Sequence, residues 1–155
     1  MQSRTASLIF VACLVGCATC TWTLGAAQWV DKTGTITIAT HFSGTSQSCA
    51  GDTALTLNHD GAATIQASVA TSGDETLTSS SSDTLTTSYK LTGAALSEPD
   101  SEWVSSAAFI SPERSYAVQG TGPSEITLHV RGISASGRAN DAGAYTGSIT
   151  LTVAW

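Results

Sequence analysis

Three histidines are the residues of this sequence best suited to catalysis or metal binding: His41, His59 and His129. An imidazole serves as a general base or as a metal ligand only when a second suitable group lies close to it. No two of these histidines stand at metal-ligand spacing, and the sequence has no Cys-x-x-Cys or His-x-x-x-His pair. His59 lies in a predicted turn beside Asp60, and the other two fall on outward positions of predicted strands. The histidine pattern therefore predicts no metal site.

Nucleophiles and carboxylates also lack the spacing of a catalytic motif. Serine is abundant, but no Gly-x-Ser-x-Gly nucleophile elbow occurs. The acidic pairs Asp74-Glu75 and Asp100 to Glu102 lie in predicted loops, whereas a glycosidase pair has to converge across a cleft. The sequence contains no phosphate-binding loop and no dinucleotide fingerprint. We therefore expect a protein that is not an enzyme and binds no cofactor.

The composition favours one exported all-β domain. The chain has 155 residues, of which 12% are charged and 41% hydrophobic. The charged fraction is about half the usual share, and Ser, Thr, Gly and Ala fill the difference, which is typical of many short strands joined by small turn residues. The net charge of -6 gives no basic surface for nucleic acid.

Residues 1–27 read as a targeting segment, followed by a domain at residues 28–155. Arg4 supplies the positive region, and the apolar run from Ala6 to Val15 is too short to span a membrane. Two processing sites compete. Gly25-Ala26-Ala27 suits a signal peptidase, whereas Leu14-Val15-Gly16-Cys17 looks like a lipobox, in which Cys17 would carry a lipid. An uncleaved anchor is the third reading, and in each case the domain lies in the periplasm, on the cell surface or outside the cell.

The state of the cysteines depends on that choice. After cleavage near Ala27, only Cys49 remains, as a small core residue or as a thiol available to a partner. After lipidation at Cys17, Cys20 would also remain and could pair with Cys49.

Period-two alternation predicts the strands. The segment from Thr33 to Phe42 alternates, with Ile36, Ile38 and Phe42 as its large apolar residues, and Ser43 to Asp52 reads as a loop. An Asp60-Gly61 turn predicts a hairpin between the two strands that flank it. The predicted strands after the loop are Ala54–Asn58, Ala63–Ala70, Glu75–Ser79, Thr84–Leu91, Trp103–Phe109, Tyr116–Val118 and Glu125–Ile133.

The last eleven residues form the longest predicted strand. One face carries the residues Tyr145, Gly147, Ile149, Leu151, Val153 and Trp155, and the other carries mostly Thr and Ser. This pattern predicts that the first face lies in a core, with Trp155 as its last inward residue. The turn Asp141-Ala142-Gly143 leads into the strand.

Gly143 and Tyr145 carry a resemblance to known families. A turn with Gly before Tyr resembles the tyrosine corner of immunoglobulin-like sandwiches. Antibody domains have a Cys two residues after that Tyr, and Gly147 stands there instead. The whole ending, from Gly143 to Trp155, also resembles chaperone–usher pilins and the related spore coat U family. This resemblance covers about a tenth of the chain.

The resemblance implies an immunoglobulin-like β-sandwich of about seven to eight antiparallel strands, either complete or lacking its last strand. In a pilin-like protein the final strand is an assembly strand that pairs with a periplasmic chaperone and then with a neighbouring subunit. Ile36, Ile38 and Phe42 would then lie on a donor strand that enters another copy. The alternative is an ordinary first strand of the domain's own sheet.

These readings give two functional hypotheses, beside a third possibility of a passive structural or envelope domain with no fixed partner. The first is a structural subunit of a bacterial surface fibre or coat, assembled by strand addition with other copies, or with related subunits, and a chaperone. The second is a self-contained binding module, secreted or lipid-anchored, for which residues 33–42 pair within their own sheet.

Overall fold

The structure is a computed structural model that describes residues 27–29, 33–41, 48–134 and 140–155. Of residues 28–29 and 33–41 it describes the backbone. The described residues form an all-β protein with two antiparallel sheets, as the sequence predicts. They contain ten strands, several of only two or three residues, rather than the seven to eight that were expected.

The strands and the single short helix of the described residues follow one another from β1 to β10. They are β1 Ala27–Trp29, β2 Thr33–His41, β3 Ser48–His59, β4 Ala63–Ser68, β5 Thr78–Ser79, β6 Thr86–Thr92, β7 Val104–Ser105, α1 Ser106–Phe109, β8 Tyr116–Val118, β9 Gly122–Ile133 and β10 Gly143–Ala154.

The strands form two sheets, here named sheet I and sheet II. Sheet I has the order β1-β3-β9-β6-β7, and sheet II has the order β2-β10-β4-β8, with β5 paired to β10. In sheet II, therefore, β2 and β8 are the two outer strands. Every strand pair that the structure describes is antiparallel.

The core lies between the sheets. Inward residues of β3, β6 and β9 in sheet I join inward residues of β4, β8 and β10 in sheet II in one hydrophobic cluster. Two sheets that bury their facing sides in this way make a β-sandwich. The side chains that are almost fully buried are Tyr89, Tyr145, Phe109, Leu57, Ile65, Leu77, Leu91, Ile126, Leu128, Ile149 and Leu151.

The predicted hairpin around Asp60-Gly61 is wrong, although both of its strands exist. Strand β3 pairs with β1 and β9 in sheet I, and strand β4 pairs with β10 and β8 in sheet II. The turn is therefore an arch that crosses from one sheet to the other. Buried His59 holds it, because one ring nitrogen lies 3.0 Å from the Gly61 carbonyl oxygen and the other 2.9 Å from Ser124 Oγ on β9.

Three other predicted elements differ from the structure. Residues 48–52, predicted as loop, begin β3, because they pair with β9 from Ser48↔Ile133 onward. The strand predicted at Trp103–Phe109 ends at Ser105, whose hydroxyl accepts from the Ala108 backbone N–H and caps α1. The strand predicted at Glu75–Ser79 is confined to Thr78–Ser79.

The N-terminal boundary falls inside a strand. Ala27, the last residue of the predicted targeting segment, lies in β1, pairs with His59 and is buried. Residues 1–26, including the predicted lipidation site Cys17, lie outside the described residues.

Candidate functional site

Strand β10 and its pairing with β2 form the site that the sequence singled out. Four of the predicted inward residues of β10, namely Tyr145, Gly147, Ile149 and Leu151, are buried, and Val153 is half-buried. Trp155 is a correction, because it lies beyond the end of β10 and 67% of it is exposed. Alternate residues of β10 therefore face the core as far as Val153. The pattern ends where the pairing with β4 ends, at Ala154.

Tyr145 is anchored by a hydrogen bond of the kind that the tyrosine corner implies. Its hydroxyl donates to the Asp141 carbonyl oxygen at 2.8 Å and lies 3.0 Å from Asp83 Oδ2. Burial, followed by the bond to the Asp83 carboxylate, raises the pKa of Tyr145 to about 12. Gly143 has a φ of +151°, which L side chains rarely adopt, so the corner requires glycine at this position.

Asp83 and Asn140 complete this corner, and the sequence reading missed both. Asp83 Oδ2 accepts from Asn140 Nδ2 at 2.8 Å and from the Asp141 backbone N–H at 2.9 Å. Asn140 Nδ2 also lies 3.1 Å from the Thr84 carbonyl oxygen. Asp83 stood out only as a turn residue, since its partners are more than 55 positions away along the chain.

Gly147 stands where antibody domains have a disulfide cysteine, and an aromatic residue of the opposite sheet fills the space. A Cβ at Gly147 would lie 3.0 Å from the Tyr89 hydroxyl oxygen. That hydroxyl donates to the Glu75 carbonyl oxygen at 2.8 Å, and the Tyr89 ring stacks on Phe109 at 5.1 Å between centroids. Tyr89, on β6 of sheet I, thus packs against β10 of sheet II at Gly147, and its hydrogen bond joins it to the segment between β4 and β5.

The predicted donor segment pairs with the predicted assembly strand in the same chain. Strand β2 lies antiparallel to β10 along residues 143–150, with one register shift between Gly143 and Tyr145. Ile38 stands opposite Tyr145 and Ile36 opposite Gly147. Phe42 lies outside the described residues.

The described histidines have separate hydrogen-bond partners in different parts of the fold. His129 Nε2 lies 2.8 Å from Thr92 Oγ1, His59 belongs to the arch, and the side chain of His41 lies outside the described residues. Within the described ranges, no three metal-ligating side chains converge. Cys49 is a free, half-buried thiol whose pKa is raised by burial, and its Sγ lies 3.7 Å from the Gly132 carbonyl oxygen.

Comparisons with protein-family models, with curated proteins and with solved structures found no match to this chain. Across the residues that the structure describes, no helix has both the length and the apolar character needed to cross a membrane.

Proposed function

We propose that this protein is a non-enzymatic structural subunit of a bacterial surface fibre or coat, assembled by exchange of strand β2 between copies. The observation that carries the proposal is the position of β2. It is an outer strand of sheet II, and its backbone partner is β10, the strand whose sequence resembles the assembly strand of pilins and spore coat U proteins. The finer fold in this proposal is immunoglobulin-like, which the Tyr145 corner supports.

The energetics favour exchange over simple loss of the strand. Without β2, the edge of β10 would be unpaired beside the buried residues Tyr145 and Ile149. Exposing a large apolar side chain costs about 1.5–3 kcal/mol, and an open sheet edge invites pairing with another chain. A second copy offers the same nine-residue strand, so it restores the same hydrogen-bond ladder. Because exchange forms no new kind of contact, its extent depends on the protein concentration.

This proposal assigns roles to the remaining parts of the chain. The segment that moves comprises β1 and β2, which precede β3 in the chain. A periplasmic chaperone covers the β10 edge before assembly. Residues 1–27 export the chain, and Cys17, if lipidated, ties it to a membrane.

Disulfide trapping tests the exchange. Thr37 of β2 stands directly opposite Thr146 of β10. In a Cys49→Ser background, one protein carries Thr37→Cys and a second carries Thr146→Cys. After the two are mixed and oxidised, strand exchange joins the two different chains, and electrophoresis without reductant detects the joined species. The matched control replaces Thr37→Cys with Thr33→Cys, because Thr33 stands opposite Thr150 and is out of register with Thr146.

The outcome separates the two functional hypotheses. Joined chains in the first mixture, at a yield well above the control, support assembly by exchange. If the mixture stays monomeric while a single chain with both substitutions closes its own disulfide, β2 remains in its own sheet and the proposal is wrong.

The second candidate function is a self-contained binding module, secreted or lipid-anchored. The pairing of β2 with β10 within one chain favours it, because that pairing covers the β10 edge along residues 143–150 without a partner. It predicts a stable monomer at all concentrations of the exported protein. Palmitate labelling that is lost in Cys17→Ser identifies the lipid-anchored form.

A further inference from the structure

A cleft of about 580 Å³ lies beside β8, at the edge of sheet II away from β2. One wall is formed by residues 96–98, and the other by Ala108 of α1 and the turn at residues 111–115. Tyr116 and Ala117 of β8 form its floor. We call it the β8 cleft. Its volume lies within the range of about 300–1,000 Å³ that small-molecule sites occupy.

Backbone hydrogen bonds fix both walls. Ser97 N–H donates to the Ala117 carbonyl oxygen at 2.9 Å, and Gln119 N–H donates to the Ala95 carbonyl oxygen at 2.7 Å. In the other wall, Arg114 N–H donates to the Ser111 carbonyl oxygen at 2.9 Å and closes the turn. The backbone of both walls is therefore held in place by hydrogen bonds.

Arg114 is held in the cleft by one part of its guanidinium only. Its Nε–H donates to the Tyr116 hydroxyl at 2.9 Å, and its Cζ lies 5.5 Å from the centre of that ring. Among the described residues, the terminal amino groups of Arg114 have no hydrogen-bond or ion-pair partner. The terminal amino groups can therefore donate hydrogen bonds to a ligand. The bond from Nε to Tyr116 already holds the side chain in position.

The two carboxylates of the cleft are also free to bind. Glu98 and Glu113 line it, and the one ion pair within the described part of the chain, Lys90–Asp100, includes neither of them. The cleft therefore presents one cation and two anions that do not neutralise one another at contact distance, together with the hydroxyls of Ser97 and Ser115.

This mixture selects the chemistry of the ligand. An anion meets two carboxylates in a chain whose net charge is -6, and a cation leaves the Arg114 donors unpaired. A hydroxyl group both donates and accepts hydrogen bonds, so a polyhydroxylated neutral molecule satisfies all three charged groups at once. Ala108 offers an apolar surface for the C–H face of a ring. We propose that the β8 cleft binds a neutral saccharide.

The location suits a subunit of a surface assembly but does not rest on the strand-exchange proposal. Strands β2 and β8 are the two outer strands of sheet II, with β10 and β4 between them. A partner strand on the β10 edge therefore leaves the β8 cleft open.

Titration followed by NMR of isotope-labelled exported protein tests this proposal. The neutral probes are maltotriose, cellotriose and N,N',N''-triacetylchitotriose, the anionic probe is trigalacturonate and the cationic probe is the glucosamine trimer. We expect at least one neutral probe to shift the backbone amides of Ser97, Ala108 and Ser115 with a Kd of about 1 mM or below. Ala108→Trp fills the cleft and is expected to weaken that binding by about tenfold or more.

Two matched variants separate binding from general damage. Ala107→Trp changes the neighbouring exposed residue of α1, which does not line the cleft, and keeps wild-type affinity. Glu98→Gln weakens binding, whereas Glu102→Gln, an exposed position outside the cleft lining, does not. The proposal is overturned if no neutral probe shifts these amides, if only a charged probe binds, or if Ala107→Trp lowers the affinity as much as Ala108→Trp.

Discussion

At the scale of single residues, the start of β10 is held by contacts that reach across the molecule. The Tyr145 hydroxyl contacts the Asp141 carbonyl oxygen in its own turn. It also contacts the Asp83 carboxylate, which belongs to a loop distant in the sequence. Two residues later, Gly147 leaves room for the Tyr89 hydroxyl from the opposite sheet. The function proposed for β10 therefore depends on a strand whose position is fixed before any partner binds.

Gly147→Ala is expected to destabilise the fold. Its Cβ would lie 3.0 Å from the Tyr89 hydroxyl oxygen, which is held by Glu75 and has little freedom to move. Overpacking of this kind costs about 1–3 kcal/mol of the free energy of unfolding, measured by urea denaturation. Gly61→Ala is the control, because nothing lies within 4 Å of a Cβ there. Equal stability of the two variants would contradict the packing described for Gly147.

Stability is expected to fall at alkaline pH. All three tyrosines of the chain have a raised pKa, chiefly because burial disfavours the phenolate, and the pKa of Tyr145 reaches about 12. Above pH 10 the unfolded state releases these protons while the folded state retains them, so the unfolded state binds fewer protons and stability declines with pH. The contribution of the buried, protonated tyrosines to the free energy of unfolding is complete below the ordinary tyrosine pKa of about 10. It is lost as pH rises toward 12.

Tyr145→Phe tests how much of this loss of stability at alkaline pH comes from Tyr145. It removes the bonds to Asp141 and Asp83 and is expected to cost about 1–3 kcal/mol near neutral pH. It should also flatten the decline above pH 10, as followed by urea denaturation at a series of pH values. An unchanged slope would show that Tyr145 ionises no differently in the folded and unfolded states.

At the scale of elements, the end of β10 matters less to the core than its alternation implied. Trp155 is largely exposed, and Val153 is half-buried opposite Ile65 of β4. The last residues of β10 therefore contribute mainly through the ladder with β4, which runs from Thr150 to Ala154.

Trp155→Ala is expected to change the free energy of unfolding by no more than about 0.5 kcal/mol, because the side chain is exposed. Val153→Ala removes two methyl groups that pack against the core and is expected to cost about 1 kcal/mol. Thermal unfolding of the two variants measures both effects. A larger loss for Trp155→Ala than for Val153→Ala would show that Trp155 is covered in solution. If Trp155→Ala leaves stability unchanged but reduces assembly on the cell surface, its role lies in an interface between subunits.

At the scale of the whole molecule, the outer strands of sheet II divide the proposed roles. In our proposals the β2 edge serves exchange with another copy, and the cleft beside β8 binds a saccharide. Because the two edges are separated by β10 and β4, a change at one should leave the other intact.

Deletion of residues 28–41 from the exported chain is expected to destroy the monomeric state. It removes β1 and β2 and so leaves one edge of β3 and the β10 edge along residues 143–150 unpaired. Such edges pair with other chains, so size-exclusion chromatography with light scattering should detect oligomers or aggregates. A peptide of residues 33–41 added during refolding should restore the monomer, and a scrambled peptide of the same composition should not. A stable monomer without any peptide would show that β2 is dispensable for covering β10.

The sequence by itself determined the class of the fold and the inward faces of its longer strands. In β9, Ile126, Leu128 and Val130 are buried as their alternation predicts, and in β10 the prediction is correct from Tyr145 to Leu151. The physical reason is local: successive side chains of a strand point to opposite faces, so a strand that borders a core records its inward face in its own residues. The Gly143–Tyr145 corner was also readable, since the conformation of Gly143 and the hydrogen bond to Asp141 involve neighbours in the chain.

Only the tertiary structure decided which strands pair, and at which residue an alternating segment stops forming a strand. The Asp60-Gly61 turn suits a hairpin locally, but β3 and β4 are recruited into different sheets by β9 and β10, which lie far along the chain. The role of Asp83 likewise depends on Asn140 and Asp141, more than 55 residues away. The β8 cleft is visible only once residues 96–98 and 108–117 are packed side by side. Contacts of this kind carry no local period, because each depends on the free energy of the whole assembled sandwich and not on that of one segment.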